Sequence, residues 1–106
     1  MIFHNTTESG WEAARRAGVY AADTLGSEGF IHCSTADQWP RVRRERFAGR
    51  TDLVLLEIDP ALAGAEVRWE NLEGGEEAFP HLYGPLDTAA GVSARRLQSG
   101  YSPSPT

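Results

Sequence analysis

The chain alternates short apolar runs with amphipathic stretches, and this pattern predicts small strands and helices in mixed order. Residues 53–56 are apolar on both faces, so the segment 52–59 is expected to form a buried central strand. Residues 66–70 alternate between apolar and charged side chains, which predicts a half-exposed strand. Further strands are expected at the other short apolar runs, which are residues 1–4, 19–20, 29–34, 79–86 (broken by Gly84-Pro85) and 92–97.

The polar residues Asn5-Thr6-Thr7 are expected to form a turn that leads into a first helix over residues 10–17. Ser9 and Glu12 have the spacing of a capping box, and Gly18 suits a left-handed C-terminal stop. Residues 21–28 are interpreted as a loop, residues 71–78 as a mobile loop, and Asp87 as the cap of a single helical turn.

A second helix is expected to begin at Ser34 or Thr35 and to end near Phe47. Pro40 would fall beyond the first turn if Ser34 were the cap. Because proline removes a helical hydrogen bond there, a kink or a restart near Asp37 is expected.

Length and composition favour one α+β domain. The chain has 106 residues, of which 41% are hydrophobic and 24% charged, which is ordinary for a globular protein with a single core. Residues 1–97 are assigned to this domain, and residues 98–106, rich in serine and proline, to a disordered tail.

Charge narrows the classes of partner. The formal net charge is -5, so a broad basic field for a nucleic-acid backbone is absent and nucleic acid is an unlikely partner. All 10 basic residues are arginine, a side chain that grips phosphate in a bidentate way, so a small nucleotide-like ligand is still accommodated.

The single cysteine, Cys33, excludes an internal disulfide and is typical of a reducing compartment. No apolar run has the length of a membrane span, and the N-terminus lacks the pattern of a secretory signal. A cytoplasmic location without membrane attachment is therefore expected, while the oligomeric state stays open.

The three histidines are the candidate chemistry. His32 and His81 lie in two strand-like runs of similar build, 30–34 and 79–83, and His4 ends the first apolar run. Because residues two apart in a strand share a face, Phe30, His32 and Ser34 point one way. Phe79, His81 and Tyr83 do the same in their own strand, so neighbouring strands would line one cleft with imidazole, hydroxyl and aromatic groups.

Other candidates have plainer explanations. Alternation turns Cys33 away from His32, which favours a buried structural thiol. Glu70 shares a strand face with Glu66 and Arg68, a pattern typical of solvated charge, and the arginine-rich run 41–46 is expected to be the wet face of a helix. No histidine pair has the close spacing of a familiar metal motif, so no metal is expected.

Several motifs together resemble one small bacterial family. They are Ile2-Phe3-His4, Trp11-Glu12-Ala13-Ala14, Gly18-Val19-Tyr20, Glu28-Gly29-Phe30-Ile31-His32-Cys33-Ser34-Thr35, the strand 52–59, Val67-Arg68-Trp69-Glu70 and Phe79-Pro80-His81-Leu82-Tyr83-Gly84-Pro85-Leu86. In this order they are similar to the domain of unknown function 952 family, over about residues 1–97.

The resemblance implies a minimal ADP-ribosyltransferase-like fold, with two small mixed or antiparallel sheets and two short helices around a cleft that holds NAD in active relatives. It places His4 on the nicotinamide ribose, Ser34 as a plausible support, and Glu70 or His81 in the third position. Asn5-Thr6 after His4 departs from the transferase pattern, and His32 has no obvious counterpart there.

This implied reaction gives each candidate a role. Tyr20, Phe30 or Tyr83 would supply an aromatic wall for nicotinamide, and His4, His32 or Ser34 would fix the ribose hydroxyls. His81 or Glu70 would act as base, and Arg68 or a helix N-terminus would meet the pyrophosphate. NAD is then a substrate.

Two alternatives remain open from the sequence. One is the NAD-dependent removal of an RNA 2′-phosphate, which leans on several basic residues in the cleft, although neither histidine motif contains an arginine. The other is a catalytically inactive nucleotide-binding module that kept the cleft.

Overall fold

A computed structural model describes residues 1–71, 75, 77–89 and 92–96. Within these residues the chain forms eight strands and three helices. In chain order they are β1 (Ile2–Thr7), α1 (Glu8–Ala17), β2 (Val19–Tyr20), α2 (Asp23–Glu28), β3 (Ile31–His32), α3 (Trp39–Arg46), β4 (Leu53–Ile58), β5 (Glu66–Glu70), β6 (Phe79–Tyr83), β7 (Leu86–Asp87) and β8 (Val92–Arg96). The α+β class agrees with the sequence prediction.

The strands of the described residues form three antiparallel sheets, with the orders β1-β4-β8, β2-β7 and β3-β6-β5. The expectation of two sheets and two helices was therefore wrong in number. The extra sheet arises because the run 79–86 divides at Gly84, whose φ is +151°. A Cβ at Gly84 would lie 2.9 Å from the Cβ of Ala65, so the chain passes too close for any other residue.

The extra helix is α2, which lies where a loop was expected. Leu25 packs its side chain against the main core, and the Gly29 N–H donates to the Leu25 carbonyl at 3.1 Å. Gly29 has φ of +88° and suits the position just after the helix. One partly buried leucine joins this short helix to the core, and this leaves too little periodicity to predict the helix from the sequence.

Helix α1 begins two residues earlier than expected, because Thr7 and not Ser9 is the N-cap. The Thr7 side chain accepts a hydrogen bond from the Gly10 N–H at 3.1 Å. Strand β1 runs up to this cap, paired with β4 from Ile2 to Thr7, so the polar residues 5–7 belong to the strand and not to a turn. Gly18 ends the helix with φ of +86°, as predicted.

Helix α3 begins at Trp39, and no helical segment precedes it among the described residues after β3, so the expected kink or restart near Asp37 does not occur. Pro40 lies in the first turn, where its missing N–H breaks no helical hydrogen bond. The expectation that Ser34 or Thr35 caps this helix was wrong, since its N-cap is Gln38.

Asp87 is also placed differently. It pairs with Val19 in the β2–β7 sheet, and its Oδ1 accepts from the Ala89 N–H at 2.8 Å in a turn, so it does not cap a helical turn. The loop predicted over 71–78 lies partly outside the described residues. Residue 97, the last residue of the predicted final strand, and the tail 98–106 lie wholly outside them.

Strand β4 is the centre of the fold, as its apolar sequence predicts. It pairs with β1 on one side and β8 on the other. Val54, Leu56 and Ile58 face the main core with β3, β6 and β7, while Leu55 packs with Phe3 and Trp39 on the opposite face. Helix α3 therefore covers the second face of this sheet.

The two three-stranded sheets meet at one point. Phe3 of β1 and Ser34, just after β3, exchange two backbone hydrogen bonds of 2.7 Å. Two residues earlier in this segment, the carbonyl of His32 accepts from the His4 side chain at 2.6 Å, so a side chain bridges the strands there. Beyond this junction of β1 with the segment after β3, a cleft lies between the two sheets and α3.

Candidate functional site

The cleft has a volume of about 500 Å³ and opens between α3 and strands β1, β3 and β6. Volumes of this size are typical of small-molecule sites. Its lining contains all three histidines of the chain. The full set is His4, Asn5, Ala22, His32, Cys33, Ser34, Arg41, Val42, Glu45, Arg46, Phe47, Glu77, Phe79 and His81.

Strand register brings His32 and His81 together. They are directly paired between β3 and β6, and their ring centroids lie 5.1 Å apart in an edge-to-face arrangement. The structure thus brings the three imidazoles to the lining of one cleft. The catalytic and binding roles assigned to them stay predictions.

His4 is held by its own network. Because a carbonyl only accepts, Nδ1 of His4 carries a proton and donates to the His32 carbonyl at 2.6 Å. Its Nε2 then accepts from the Tyr20 hydroxyl at 2.9 Å, and that hydroxyl lies 3.0 Å from Thr6 Oγ1. Burial lowers the pKa of His4 from 6.5 to about 4, against the His32 carbonyl, which raises it. His4 is thus a neutral imidazole with both nitrogens occupied.

His81 is arranged differently. It is 3% exposed, and its Nδ1 lies 3.0 Å from Glu70 Oε1. The Tyr83 hydroxyl donates to the same oxygen at 2.6 Å. Among the described residues no group pairs with the second ring nitrogen, Nε2, and the side chain lines the cleft. A carboxylate that orients an imidazole in this way fixes the tautomer that leaves Nε2 as the accepting nitrogen.

The carboxylate of Glu70 is stabilised by these contacts. The Tyr83 hydroxyl and then the His81 ring hold the pKa of Glu70 below its usual value, and the same carboxylate raises the pKa of Tyr83. The expectation that Glu70 is merely solvated charge was therefore wrong. Glu70 lies at the end of β5 opposite Phe79, so His81 is its diagonal neighbour on β6, and register decides this contact.

Some of the predicted site residues do not line the cleft, namely Tyr20, Phe30, Arg68, Glu70 and Tyr83. Phe30 stacks on His81 with centroids 4.4 Å apart and lies 5.2 Å from Tyr83. Arg68 lies over the Tyr83 ring at 4.3 Å and pairs with Glu66. Tyr20 is buried, and its ring packs against His4 and Trp11. Tyr20 and Phe30 therefore pack against histidines that line the cleft, whereas Arg68 contacts Tyr83 and Glu66.

Cys33 and Ser34, the two residues that follow β3, also line the cleft. Ser34 is 5% exposed and lines the cleft beside the junction with β1. Cys33 is 2% exposed, and burial raises the pKa of its thiol to about 12, so it is a structural thiol, as predicted.

Sequence reasoning missed the contribution of α3. Arg41, Glu45 and Arg46 line the cleft, and Arg43 is buried, so the run 41–46 is not simply a wet helix face. Arg41 forms an ion pair with Glu77, whose other oxygen accepts from Gln38 Nε2 at 3.3 Å. The spacing of Arg41 and Glu45 by one helical turn was the available signal, but it does not say which face meets β1.

Asn5 was also missed. It is 7% exposed, lines the cleft, and has a side-chain oxygen without a hydrogen-bond partner among the described residues. The sequence shows only a polar residue in an expected turn.

The remaining expectations concern metal binding and membrane spanning. No cluster of three or more histidine, cysteine, aspartate or glutamate side chains within the described residues has the geometry to hold a metal ion. None of the helices in that part of the chain combines the length and the apolar character needed to cross a bilayer. The absence of a metal stays a prediction.

The geometry defines a small α+β domain with a histidine-lined cleft at a junction of antiparallel sheets. The chain belongs to the family described as Protein of unknown function (DUF952), whose model matches residues 5–94. The resemblance stated from the sequence motifs is thereby confirmed at the level of the family.

Solved structures of one relative have the same fold. The X-ray structure of protein CC0527 from Caulobacter crescentus is 29% identical, with a TM-score of 0.78 over 97% of this chain and 92% of that chain. The solution NMR structure of CC0527 is 31% identical, with a TM-score of 0.78 over 92% of this chain and 84% of that chain. No curated protein matches the chain significantly.

Proposed function

We propose that the cleft binds a nucleotide-like ligand, with NAD as the first candidate, and that it cleaves the bond between nicotinamide and ribose. The observation that carries this proposal is His81, which lines a cleft of about 500 Å³ and has its Nδ1 held 3.0 Å from the Glu70 carboxylate. The ADP-ribosyltransferase-like character implied by the family motifs belongs to the same proposal.

The reaction is NAD hydrolysis, or transfer to another acceptor. The C–N bond between ribose C1′ and the nicotinamide nitrogen breaks, and its electron pair leaves with nicotinamide. The oxygen of water or of an acceptor hydroxyl forms the new bond to C1′, and its proton passes to Nε2 of His81 and then to solvent. Oxocarbenium character develops at the sugar, as in glycoside hydrolysis. A positioned base of this kind contributes about 10²–10⁴-fold to the rate.

Other lining residues fit the remaining parts of the ligand. Phe79 offers an aromatic surface, and His32 and Ser34 offer polar groups for ribose hydroxyls. His4 has both ring nitrogens engaged, so in this proposal it positions the His32 backbone. Its assignment to the ribose stays a prediction from the family resemblance.

The pyrophosphate is assigned to α3. Arg41 and Arg46 line the cleft, whereas Arg68 is not among the lining residues. Arg41 is paired with Glu77 at the cleft wall, so in this proposal a phosphate replaces that carboxylate on the Arg41 guanidinium. Arginine suits phosphate because its guanidinium donates two parallel hydrogen bonds.

The test is release of nicotinamide from NAD, measured for the unmodified protein and for two matched variants. Glu70→Gln removes the charge that orients His81, and we expect the rate to fall at least about 10-fold, since such supporting partners are usually worth 10–100-fold. Glu66 lies on the same strand face as Glu70 but pairs with Arg68. The Glu66→Gln variant is therefore expected to release nicotinamide at the rate of the unmodified protein.

Absence of both turnover and NAD binding would defeat the proposal. Binding without turnover would instead support the inactive nucleotide-binding module as the function of the cleft. Equal loss of rate in both variants would show that general strand damage, and not the Glu70–His81 contact, is responsible.

The presence of Arg41 and Arg46 in the cleft favours a second candidate, the NAD-dependent removal of an RNA 2′-phosphate. That chemistry needs several basic groups near the histidines, and α3 supplies them from outside the histidine motifs. An oligonucleotide with an internal 2′-phosphate distinguishes the two. Loss of the phosphate only when NAD is present supports the second candidate, and nicotinamide release without the oligonucleotide supports the first.

A further inference from the structure

We propose that Asn5 is a specificity residue of the cleft, whose amide recognises a ligand group that carries a hydrogen-bond donor and an acceptor side by side. A primary carboxamide and the edge of adenine are the two such groups in a nicotinamide–adenine ligand. The inference rests on the proposed class of ligand but not on catalysis.

Asn5 is unfavourable for the stability of the protein without a ligand. Its side chain is 7% exposed, and its Oδ1 is shielded from solvent without a partner among the described residues. No other hydrogen bond of the Asn5 amide occurs within that part of the chain either. An unsatisfied buried polar group lowers stability, whereas an apolar side chain of similar size would not. A residue that the fold does not use is placed at the wall of the cleft.

Asn5 also lies at the wall of the cleft, where a bound ligand would meet it. Asn5 follows His4 on β1 at the junction where β1 and β3 diverge, and it lies on the strand face that carries Phe3 and that α3 covers. It therefore faces the side of the cleft that Arg41 and Arg46 also line. A ligand whose phosphate meets these arginines would place a neighbouring ring or amide near β1.

The side-chain amide of Asn5 has the hydrogen-bonding groups that recognise such a ligand. An asparagine side chain offers one acceptor oxygen and two N–H donors, and it pairs in a bidentate way with a donor–acceptor edge such as that of adenine. The terminal torsion of asparagine is broad, so a rotation can bring Oδ1 to the surface of the cleft when a ligand arrives. Binding then satisfies an oxygen that the empty protein leaves without a partner.

The test compares affinities for ligand pairs that differ in this one group. Nicotinamide is compared with 3-acetylpyridine, which has a methyl ketone in place of the amide. AMP is compared with purine riboside 5′-monophosphate, which lacks the 6-amino group. We expect the unmodified protein to prefer one of the donor-bearing probes by roughly 10-fold, the effect of leaving a buried acceptor unpaired. The preferred pair tells whether the carboxamide or the adenine lies at Asn5.

Asn5→Leu should reduce that preference to within about twofold, since no polar group then distinguishes the probes. Asn71→Leu is the matched control, because Asn71 is exposed and is not among the cleft-lining residues, and it should keep the preference. Equal affinities within both pairs, or a preference that survives Asn5→Leu, would overturn the inference even if NAD turnover is intact. Failure of all four probes to bind also overturns it, and the nicotinamide-release assay then decides separately on the proposed function.

Thermal unfolding gives an independent readout. If Asn5 is present for a ligand, Asn5→Leu should raise the Tm of the empty protein by about 4 °C or more, because it removes an unsatisfied buried oxygen. A fall in Tm would show that the amide is held within the protein, and this outcome contradicts the inference.

Discussion

His4 and His81 lie at the same cleft and have opposite environments. His4 has both ring nitrogens occupied by the His32 carbonyl and the Tyr20 hydroxyl, and burial keeps it neutral. His81 has one nitrogen on the Glu70 carboxylate and the other without a partner among the described residues. The first histidine acts as a structural hydrogen-bonding group and the second has the arrangement of an acid–base group. Burial alone does not distinguish them, whereas their partners do.

The largest effect is expected when each histidine is replaced by asparagine. His81→Asn keeps a donor near Glu70 but removes Nε2, so nicotinamide release should fall by about 10²–10⁴-fold. His4→Asn keeps a donor for the His32 carbonyl but removes the acceptor for Tyr20, so its main effect should be a lower Tm. Turnover assays and thermal unfolding of both variants check this. A large stability loss in His81→Asn with unchanged turnover per folded molecule would reverse the two assignments.

A second test uses pH to separate the two sites. The pKa of His4 is lowered from 6.5 to about 4, so the unfolded chain binds a proton at a higher pH than the folded protein does. Stability is therefore complete above pH 6.5 and is lost as the pH falls toward 4. Between pH 7 and pH 5 this loss should be about 2 kcal/mol.

The measurement is urea unfolding of the unmodified protein and of His4→Gln at both pH values. The variant should lose about 2 kcal/mol less than the unmodified protein over this range. Because the two proteins differ only at residue 4, the groups that they share cancel in the comparison, which therefore isolates His4. Parallel pH dependences in the two proteins would show that His4 is not kept neutral by the fold.

The smallest effects concern the two tyrosines. Tyr20→Phe removes the donor to His4 and the contact with Thr6 inside the protein, which should cost about 1–2 kcal/mol of unfolding free energy. Tyr83→Phe removes a contact at a half-buried position, so it should cost less than about 1 kcal/mol. It should also raise the pKa of Glu70, because the Tyr83 hydroxyl is the main group that lowers it. Denaturant unfolding and NMR titration of the Glu70 carboxyl measure these effects, and similar destabilisation by both would remove the distinction between the sites.

Strand alternation was sufficient to predict part of the site. The two-residue period predicted which face of β3 carries His32, and it placed His81 and Tyr83 on a common face of β6. The pairing of these two strands came only from the structure. The buried strand β4 was predicted from a different local signal, an apolar run on both faces. These features depend only on local geometry, which the sequence carries directly.

The rest depends on how elements meet. Glu70 reaches His81 because of the register between β5 and β6, and one residue of slip would turn it to the other face. Arg41 and Arg46 line the cleft because α3 docks on β1, and Asn5 was expected in a turn because its polar side chain gives no strand signal. Long-range packing decides these contacts, and a single sequence does not reveal it.

The most direct test of the central claim is a crystal structure of the protein grown with ADP-ribose and nicotinamide. We predict electron density in the cleft between α3 and β1, with the ribose C1′ region beside Nε2 of His81 and the Glu70–His81 hydrogen bond intact. Ligand bound elsewhere, or a ligand in the cleft that approaches His4 and leaves His81 without contact, would contradict the account.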